Sequence, residues 1–192
     1  MSQRILIIQA HPGTERFGHA LSQAYAEGAQ QAGHEVRLLP LNTLSFDPLL
    51  RQGYAQEQPL EPDLQRAQAD ILWAQEVVWV FPIWWGGMPA LLKGFLDRTL
   101  QPGFAFRYEP GGKGLKALLK GRTAKAIITM DTPRWIDRWI YGSPALRQLK
   151  LPILRFCGIK LTHTMYCAPI IQSTPEQRAK WLASVKQLAK QS

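Results

Sequence analysis

Between Glu76 and Pro82 the chain reads Val77-Val78-Trp79-Val80-Phe81, five consecutive apolar residues, mostly β-branched or aromatic. The run is too short for a buried helix and has no polar alternation, so it reads as a strand covered on both faces and ended by Pro82. Such a strand needs helices over each face, and the flanking sequence supplies them. Arg4–Gln9, Glu35–Leu39, Ala124–Met130 and Lys160–Cys167 read as further strands. Between them Phe17 to about Ala32, Asp63 to about Ala74 and Pro89–Leu100 carry helical composition or periodicity. A last helix is expected after Thr174, with Pro175 at its first position and Gln177 placed for a capping box. Strands alternating with helices predict an α/β fold, an open parallel sheet with helices on both faces. Residues 42–62, 101–114 and 131–150 read as irregular, the last with short helical pieces. No internal repeat or linker is visible, so residues 1–192 are expected to form one domain.

The net charge of +9 is unevenly placed: residues 1–106 carry 7 basic and 10 acidic side chains, residues 107–192 carry 16 and 4. The basic residues are interspersed with apolar ones rather than massed in a tail, which argues against nucleic acid and for a solvated face or a phosphorylated cofactor. No apolar run approaches the roughly 18 residues of a membrane span, and the opening segment lacks a plausible cleavage site. Cys157 and Cys167 form no CxxC pair, so neither a disulfide framework nor a cysteine-rich zinc module is expected. These features together suit the cytoplasm. No metal site is expected, and lone histidines such as His34 and His163 read as structural.

In an open parallel sheet, ligands bind beyond the carboxyl ends of the strands. The first such loop, AHPGTERFGHAL, leads from a strand into a helix whose N-terminal N–H groups can hold a phosphate, with His11, Thr14, Arg16 and His19 as added donors. It is neither GxGxxG nor a P-loop, and GGKG at 111–114 fails the P-loop spacing too. The second loop, FPIWWGGMPALLKGF, is more specific. Adjacent tryptophans followed by glycines suit a flat, amphipathic ring, which needs backbone partners at its edge and an apolar platform for its face. A tryptophan cluster at a subunit interface is the compatible alternative.

With these motifs, the segment ADILWAQEVVWVFPIWWGGMPALLKGFLDRTL, the loop GFAFRYEPGGKG and ILRFCGIK, the chain resembles the flavodoxin-like NAD(P)H dehydrogenase (quinone) family over about residues 4–170. The resemblance implies a five-stranded parallel sheet in the order 2-1-3-4-5, noncovalent FAD or FMN, NAD(P)H as donor, and a homodimer with each flavin at the interface. It places His11, Phe17, Gly18, His19 and Ala20 at the flavin phosphate or pyrophosphate. Pro82, Ile83, Trp84, Trp85 and Gly86 fall on the loop that contacts the isoalloxazine. Thr129, Met130, Asp131, Thr132 and Pro133 replace the family's Thr-Thr-Gly-Gly loop at the ring's other edge. Phe106 and Tyr108 match the aromatic pair covering the substrate pocket from the partner subunit. Family members place a Tyr and a His beyond the fourth strand in a charge-stabilising role. Here that stretch is shorter and has no histidine, which leaves Tyr141, or Trp139, beside Tyr108 as the candidate catalytic aromatics.

The reading that follows is a ping-pong oxidoreductase passing a hydride from NAD(P)H through flavin to a quinone or similar acceptor. Two rivals share the motifs: a one-electron flavodoxin carrier, disfavoured because such carriers are typically acidic, and a regulatory subunit of a potassium-efflux system.

Overall fold

The computed structural model describes residues 2–109 and 114–191; residues 110–113, part of the GFAFRYEPGGKG motif, lie outside the described residues. Five parallel strands form the sheet: β1 (Arg4–Gln9), β2 (Glu35–Pro40), β3 (Glu76–Pro82), β6 (Thr123–Thr129) and β7 (Lys160–Cys167). Their order is β2-β1-β3-β6-β7, with all pairings parallel. In sequence order of these five strands this is the 2-1-3-4-5 arrangement. β3 lies at the centre, and every one of its residues is buried, as its uninterrupted apolar run requires.

Alternation along each strand divides the core. In β1, Ile5 and Ile7 face a cluster with Leu21, Tyr25 and Ala29 of α1 (Phe17–Gln31) and Val185 and Leu188 of α6 (Pro175–Ala189). Leu6 and Ile8 face the other cluster, with Leu64 and Ile71 of α2 (Pro62–Trp73) and Leu92 and Phe95 of α3 (Ala90–Thr99). Each fully buried aliphatic or aromatic side chain here contributes about 1.5–3 kcal/mol through removal from water. α1 and α6 cross closely at Gly28, where a Cβ would stand 2.3 Å from the Lys186 carbonyl oxygen. The capping box at α6 forms as expected: the Gln177 N–H donates to Thr174 Oγ1 at 3.3 Å, and the Thr174 N–H to Gln177 Oε1 at 3.1 Å.

One feature departs from the sequence reading, and two others, the short helical pieces of 131–150 and the irregular segment before α2, are as expected but gain detail. The 101–114 loop contains a strand, β4 (Phe106–Tyr108), which pairs antiparallel with β5 (Leu115–Ala117) in a separate ribbon. Its three-residue strands are too short to show periodicity. Residues 131–150 hold two short helices, α4 (Arg134–Trp139) and α5 (Pro144–Gln148), the second running into a π-type turn at Leu149–Arg155. Pro152 lies in that turn; without an N–H it cannot complete the ordinary ladder, and the wider turn accommodates it. The irregular 44–61 segment is clipped down by Arg98 on α3. Its guanidinium, 1% exposed, donates to the carbonyls of Asp47 (2.6 Å) and Pro59 (2.8 Å) and to the Glu61 carboxylate (2.9 and 3.2 Å).

Among the described residues no helix is long and apolar enough to cross a membrane.

Candidate functional site

The loops after β1, β3 and β6 converge at the carboxyl edge of the sheet. β1 ends at Gln9, and the chain turns through His11-Pro12-Gly13 into α1. Arg16 stands at the N-cap in an extended conformation; no side chain caps the helix, and no acidic residue lies in its first turn. The partial positive charge of a 15-residue helix is therefore left for an anion. The Gly13 N–H donates to His11 Nδ1 at 2.9 Å, which makes that nitrogen the acceptor and leaves the proton of the neutral ring on Nε2. Burial first, then the nearby Arg16 and His19, holds the His11 imidazole below its usual 6.5.

That direction has a consequence for stability. The unfolded chain takes up the His11 proton before the folded one does, so the ligand-free protein should lose stability as pH falls through about 6.5. His11→Gln should flatten this dependence, as read from melting temperatures between about pH 7.5 and 5.5. An identical slope in both proteins would show that His11 carries none of it.

After β3 the chain makes a tight reversal. The Trp84 N–H donates to the Gly87 carbonyl at 3.1 Å, and the Gly87 N–H to the Trp84 carbonyl at 2.9 Å. Trp85 and Gly86, between them, both have positive φ, 51° and 72°. Glycine adopts this backbone freely; a tryptophan does so at a cost of order 1 kcal/mol. Trp85 is also fully exposed, so neither local conformation nor burial accounts for a tryptophan there. Trp84 leans back across the cleft and meets the His11 ring edge-on, 5.4 Å between centroids and 85° between planes. At the third loop the Ile83 N–H donates to the Thr129 carbonyl at 2.8 Å, tying the loops after β3 and β6 together. Asp131 accepts the Ile171 N–H at 2.7 Å and so anchors the segment after β7.

Together these elements enclose two adjoining cavities. The smaller, about 190 Å³, lies between His11, Arg16 and Gly18 on one side and Trp84, Thr129 and Asp131 on the other, and Phe17, Pro82 and Ile170 also line it. The larger, about 550 Å³, is bounded by Trp85, Gly86, Thr132 and Tyr141. Ile83 and Met130 line both. The structure thus brings most of the expected ring and phosphate residues to one place, and Tyr141 joins them. His19 and Ala20 sit in the first turn of α1 without lining either cavity, and Pro133 is the N-cap residue of α4. Within one chain Phe106 and Tyr108 lie elsewhere, in a cavity of about 560 Å³ with Tyr54, Leu96 and Phe156. There Phe106 packs edge-on against Phe156, 4.9 Å between centroids.

Two features went unread in the sequence. Gln9 is 1% exposed, and neither polar atom of its amide has a hydrogen-bond partner; a Cβ on Gly18 would lie 3.7 Å from its Nε2. A glutamine ending an apolar strand was the available signal. The second is a buried clamp on the third loop. Arg134 and the Ser143 hydroxyl both donate to Asp137 Oδ2 at 2.8 Å, and the Arg134 guanidinium stacks 3.8 Å from the Tyr166 ring centroid. Asp137 is 2% exposed. Both cysteines are buried, and burial pushes their thiols up, Cys157 to about 11 and Cys167 to about 12, so neither is a thiolate at neutral pH.

Comparison with known proteins follows the same line. A family profile described as a flavodoxin-like fold matches residues 3–191. The chain is 36% identical over 131 residues to an "uncharacterized NAD(P)H oxidoreductase" of Haemophilus influenzae, an alignment covering 66% of this chain and 64% of that protein. It is 32% identical over 170 residues to FMN-dependent NADH:quinone oxidoreductase 2 of Listeria innocua, covering 82% of this chain and 76% of the relative. The crystal structure of Smu.1420 from Streptococcus mutans superposes with a TM-score of 0.76 at 30% identity, over 98% of this chain and all of that one. Fold, loop motifs and relatives agree, and the chain belongs to the flavodoxin-like NAD(P)H dehydrogenase (quinone) family.

Proposed function

We propose that this protein, an oxidoreductase of the NAD(P)H dehydrogenase (quinone) type, binds FAD or FMN noncovalently across the three loops and carries two electrons from NAD(P)H to a quinone or similar acceptor. The observation that carries the reading is the closure of one cleft by an uncapped helix N-terminus, the Trp84–Gly87 turn and the Thr129–Pro133 loop. The residues fit such a group. The end of α1 and Arg16 are suited to its phosphate, and the orphaned Gln9 amide lies directly beneath that turn. A bound flavin would supply the redox chemistry, two-electron transfer between NAD(P)H and the acceptor.

The chain's own contribution is placement and electrostatics. Arg16, the α1 N–H groups and the neutral His11 Nε2–H donate to the phosphate. Backbone groups at Ile83–Gly86 and the Thr129–Thr132 loop border the ring, and the indoles of Trp84 and Trp85 provide its apolar platform. Tyr141, which lines the larger cavity, is the candidate donor to stabilise developing negative charge. Arg134 and Ser143, holding Asp137, keep that loop in place. Phe106 and Tyr108 serve a second copy, covering its substrate pocket across a homodimer interface. The exposed Tyr54, Tyr108 and Phe156, with Phe106 buried behind them at 8% exposure, form the apolar face suited to that contact.

Purified protein mixed with FMN or FAD should quench the flavin's fluorescence and show its two visible absorption bands, and chromatography of released flavin identifies which is held. Affinity weaker than roughly 100 μM for both, only about −5.5 kcal/mol, would remove the reading. Sedimentation of the same sample should give a dimer.

A further inference from the structure

Gln9 ends β1 on the face of the sheet that α1 covers. It pairs with Val80, which pairs with Ile127, and both of these side chains belong to the buried cluster under α1 and α6. Paired residues of neighbouring strands point to the same face, so the Gln9 side chain shares that layer. Two residues further along each strand, about 6.6 Å on, stand His11, Pro82 and Thr129, and all three line the smaller cavity. Gln9 therefore occupies the rung beneath the cavity floor.

Its neighbours in that rung are apolar, and a glutamine among them is out of keeping. At 1% exposure its amide has lost water, and among the described residues neither Oε1 nor Nε2 has a hydrogen-bond partner. The Gly18 carbonyl, in the helical turn above, already accepts the Ser22 hydroxyl at 2.9 Å. A buried amide left in this state costs stability, and few such groups persist in folded proteins without a role.

The way from the amide to the cavity passes Gly18. A Cβ there would lie 3.7 Å from Gln9 Nε2 and 4.0 Å from the His11 Cβ, so the missing side chain is what leaves Nε2 facing the first turn of α1. Gly18 also lines the cavity, beside His11 and Arg16. It lies within the helix without a positive φ, so the backbone does not call for glycine, and glycine weakens a helix relative to alanine. An unpartnered buried amide and a glycine that the backbone does not require thus meet at one point, under an uncapped helix end.

We propose that Gln9 is a further binding residue of the phosphate site, its Nε2 donating past Gly18 to a phosphate oxygen of the bound flavin nucleotide. This deepens the flavin reading above and rests on it. Arg16 and the α1 N–H groups supply positive charge, which attracts any anion. An amide fixed in the core adds a donor of set position, which orients the phosphate and separates a phosphorylated flavin from riboflavin.

The test titrates the parent, Gln9→Met and Gly18→Ala with FMN, FAD and riboflavin by fluorescence, alongside melting of the apo proteins. Methionine keeps the length of glutamine and removes both polar atoms; alanine sets a methyl against Nε2 where a helix accepts it. Both variants should melt at or above the parent's temperature. Each should bind FMN or FAD, whichever the parent holds, roughly 10- to 100-fold more weakly, the range for a hydrogen bond to a charged group, with riboflavin affinity unchanged. The double variant should lose little more than either, because both changes break one contact. Pyrophosphate should raise the melting temperature of the parent more than that of Gln9→Met. The inference is overturned if the parent's preference for FMN or FAD over riboflavin survives in Gln9→Met, as it would with a buried water satisfying the amide. It is overturned equally if Gln9→Met weakens all three flavins alike. Where Gln9→Met does not fold, Gly18→Ala, which keeps the amide, decides by the same preference. A parent that binds none of the three flavins loses the flavin reading; pyrophosphate stabilisation abolished by Gln9→Met would still keep Gln9 in an anion site, and no stabilisation of the parent would overturn both.

Discussion

Trp84→Ala should fold and lose flavin, whereas Trp79→Ala should lose the fold. The two side chains lie five positions apart but on opposite sides of the boundary at Pro82. Trp79 is 1% exposed in the central strand, packed in the core cluster shared with α2 and α3, and its truncation should cost about 3–5 kcal/mol. Trp84 is 44% exposed, and among the described residues the aromatic ring it meets is the edge of His11. Losing an aromatic contact of that kind costs about 1 kcal/mol, or roughly 2–4 °C of melting temperature for a chain of this size. On the proposed reading the same indole is part of the platform for the ring, so FMN or FAD affinity should fall about tenfold or more, equivalent to about 1.4 kcal/mol. Melting curves of the apo proteins and fluorescence titrations with flavin separate the two outcomes. A Trp84→Ala protein that is unfolded without ligand, yet binds flavin normally in whatever fraction folds, would make Trp84 a core residue and move the site elsewhere.

Arg98→Met should destabilise the fold by several kcal/mol although it lies outside the sheet. The methionine keeps much of the buried stem but removes the donors that hold three separate points of the 44–61 segment. The carbonyls of Asp47 and Pro59 and the half-buried Glu61 carboxylate would be left without them. Removing one partner of a buried pair costs about 3–5 kcal/mol, and the partial exposure of Glu61 favours the lower figure, about 3 kcal/mol or roughly 6–12 °C. The pH dependence provides a second signature. Burial pushes the Glu61 carboxyl up, but the Asp47 N–H and the Arg98 guanidinium outweigh it, and the net direction is down from 4.5. A carboxylate depressed in the folded state contributes stability that is present above its unfolded value and lost as pH falls through the folded one. The wild type should therefore lose stability on acidification below about pH 4.5, and Arg98→Met should lose less. Equal acid slopes, or a melting point within 2 °C or so of the wild type, would mean that Arg98 does not clip the segment.

The elements of the sheet were legible because their signals are local. An apolar run such as Val77–Phe81 specifies a doubly covered strand wherever it is placed, and Thr174, Pro175 and Gln177 start a helix through bonds made within one turn. The strand order was legible only through the family resemblance, because which strands pair is decided by packing between distant segments. The site divides in the same way. The tryptophans and glycines after β3 declare an unusual loop by composition alone, and AHPGTERF declares a strand-to-helix turn. That His11 meets Trp84, that Ile83 bonds to Thr129, and that Tyr141 closes the larger cavity are consequences of parallel strands ending at one edge.

Other features had no sequence signal that reading could use. Arg98 looks like an ordinary exposed helical cation until α3 is packed, and Gln9 looks like the polar end of a strand until α1 covers it. The three-residue strands β4 and β5 are too short for periodicity to register. By itself the sequence determined the strands, the helix starts and the chemical character of the loops, since these follow from backbone preference and side-chain pattern over a few residues. Only the tertiary structure decided which loops face one another, which charges are buried and which aromatics remain in solvent. Those outcomes depend on contacts between residues far apart in the chain, and hydrophobic burial, which drives such contacts, carries no directional information of its own.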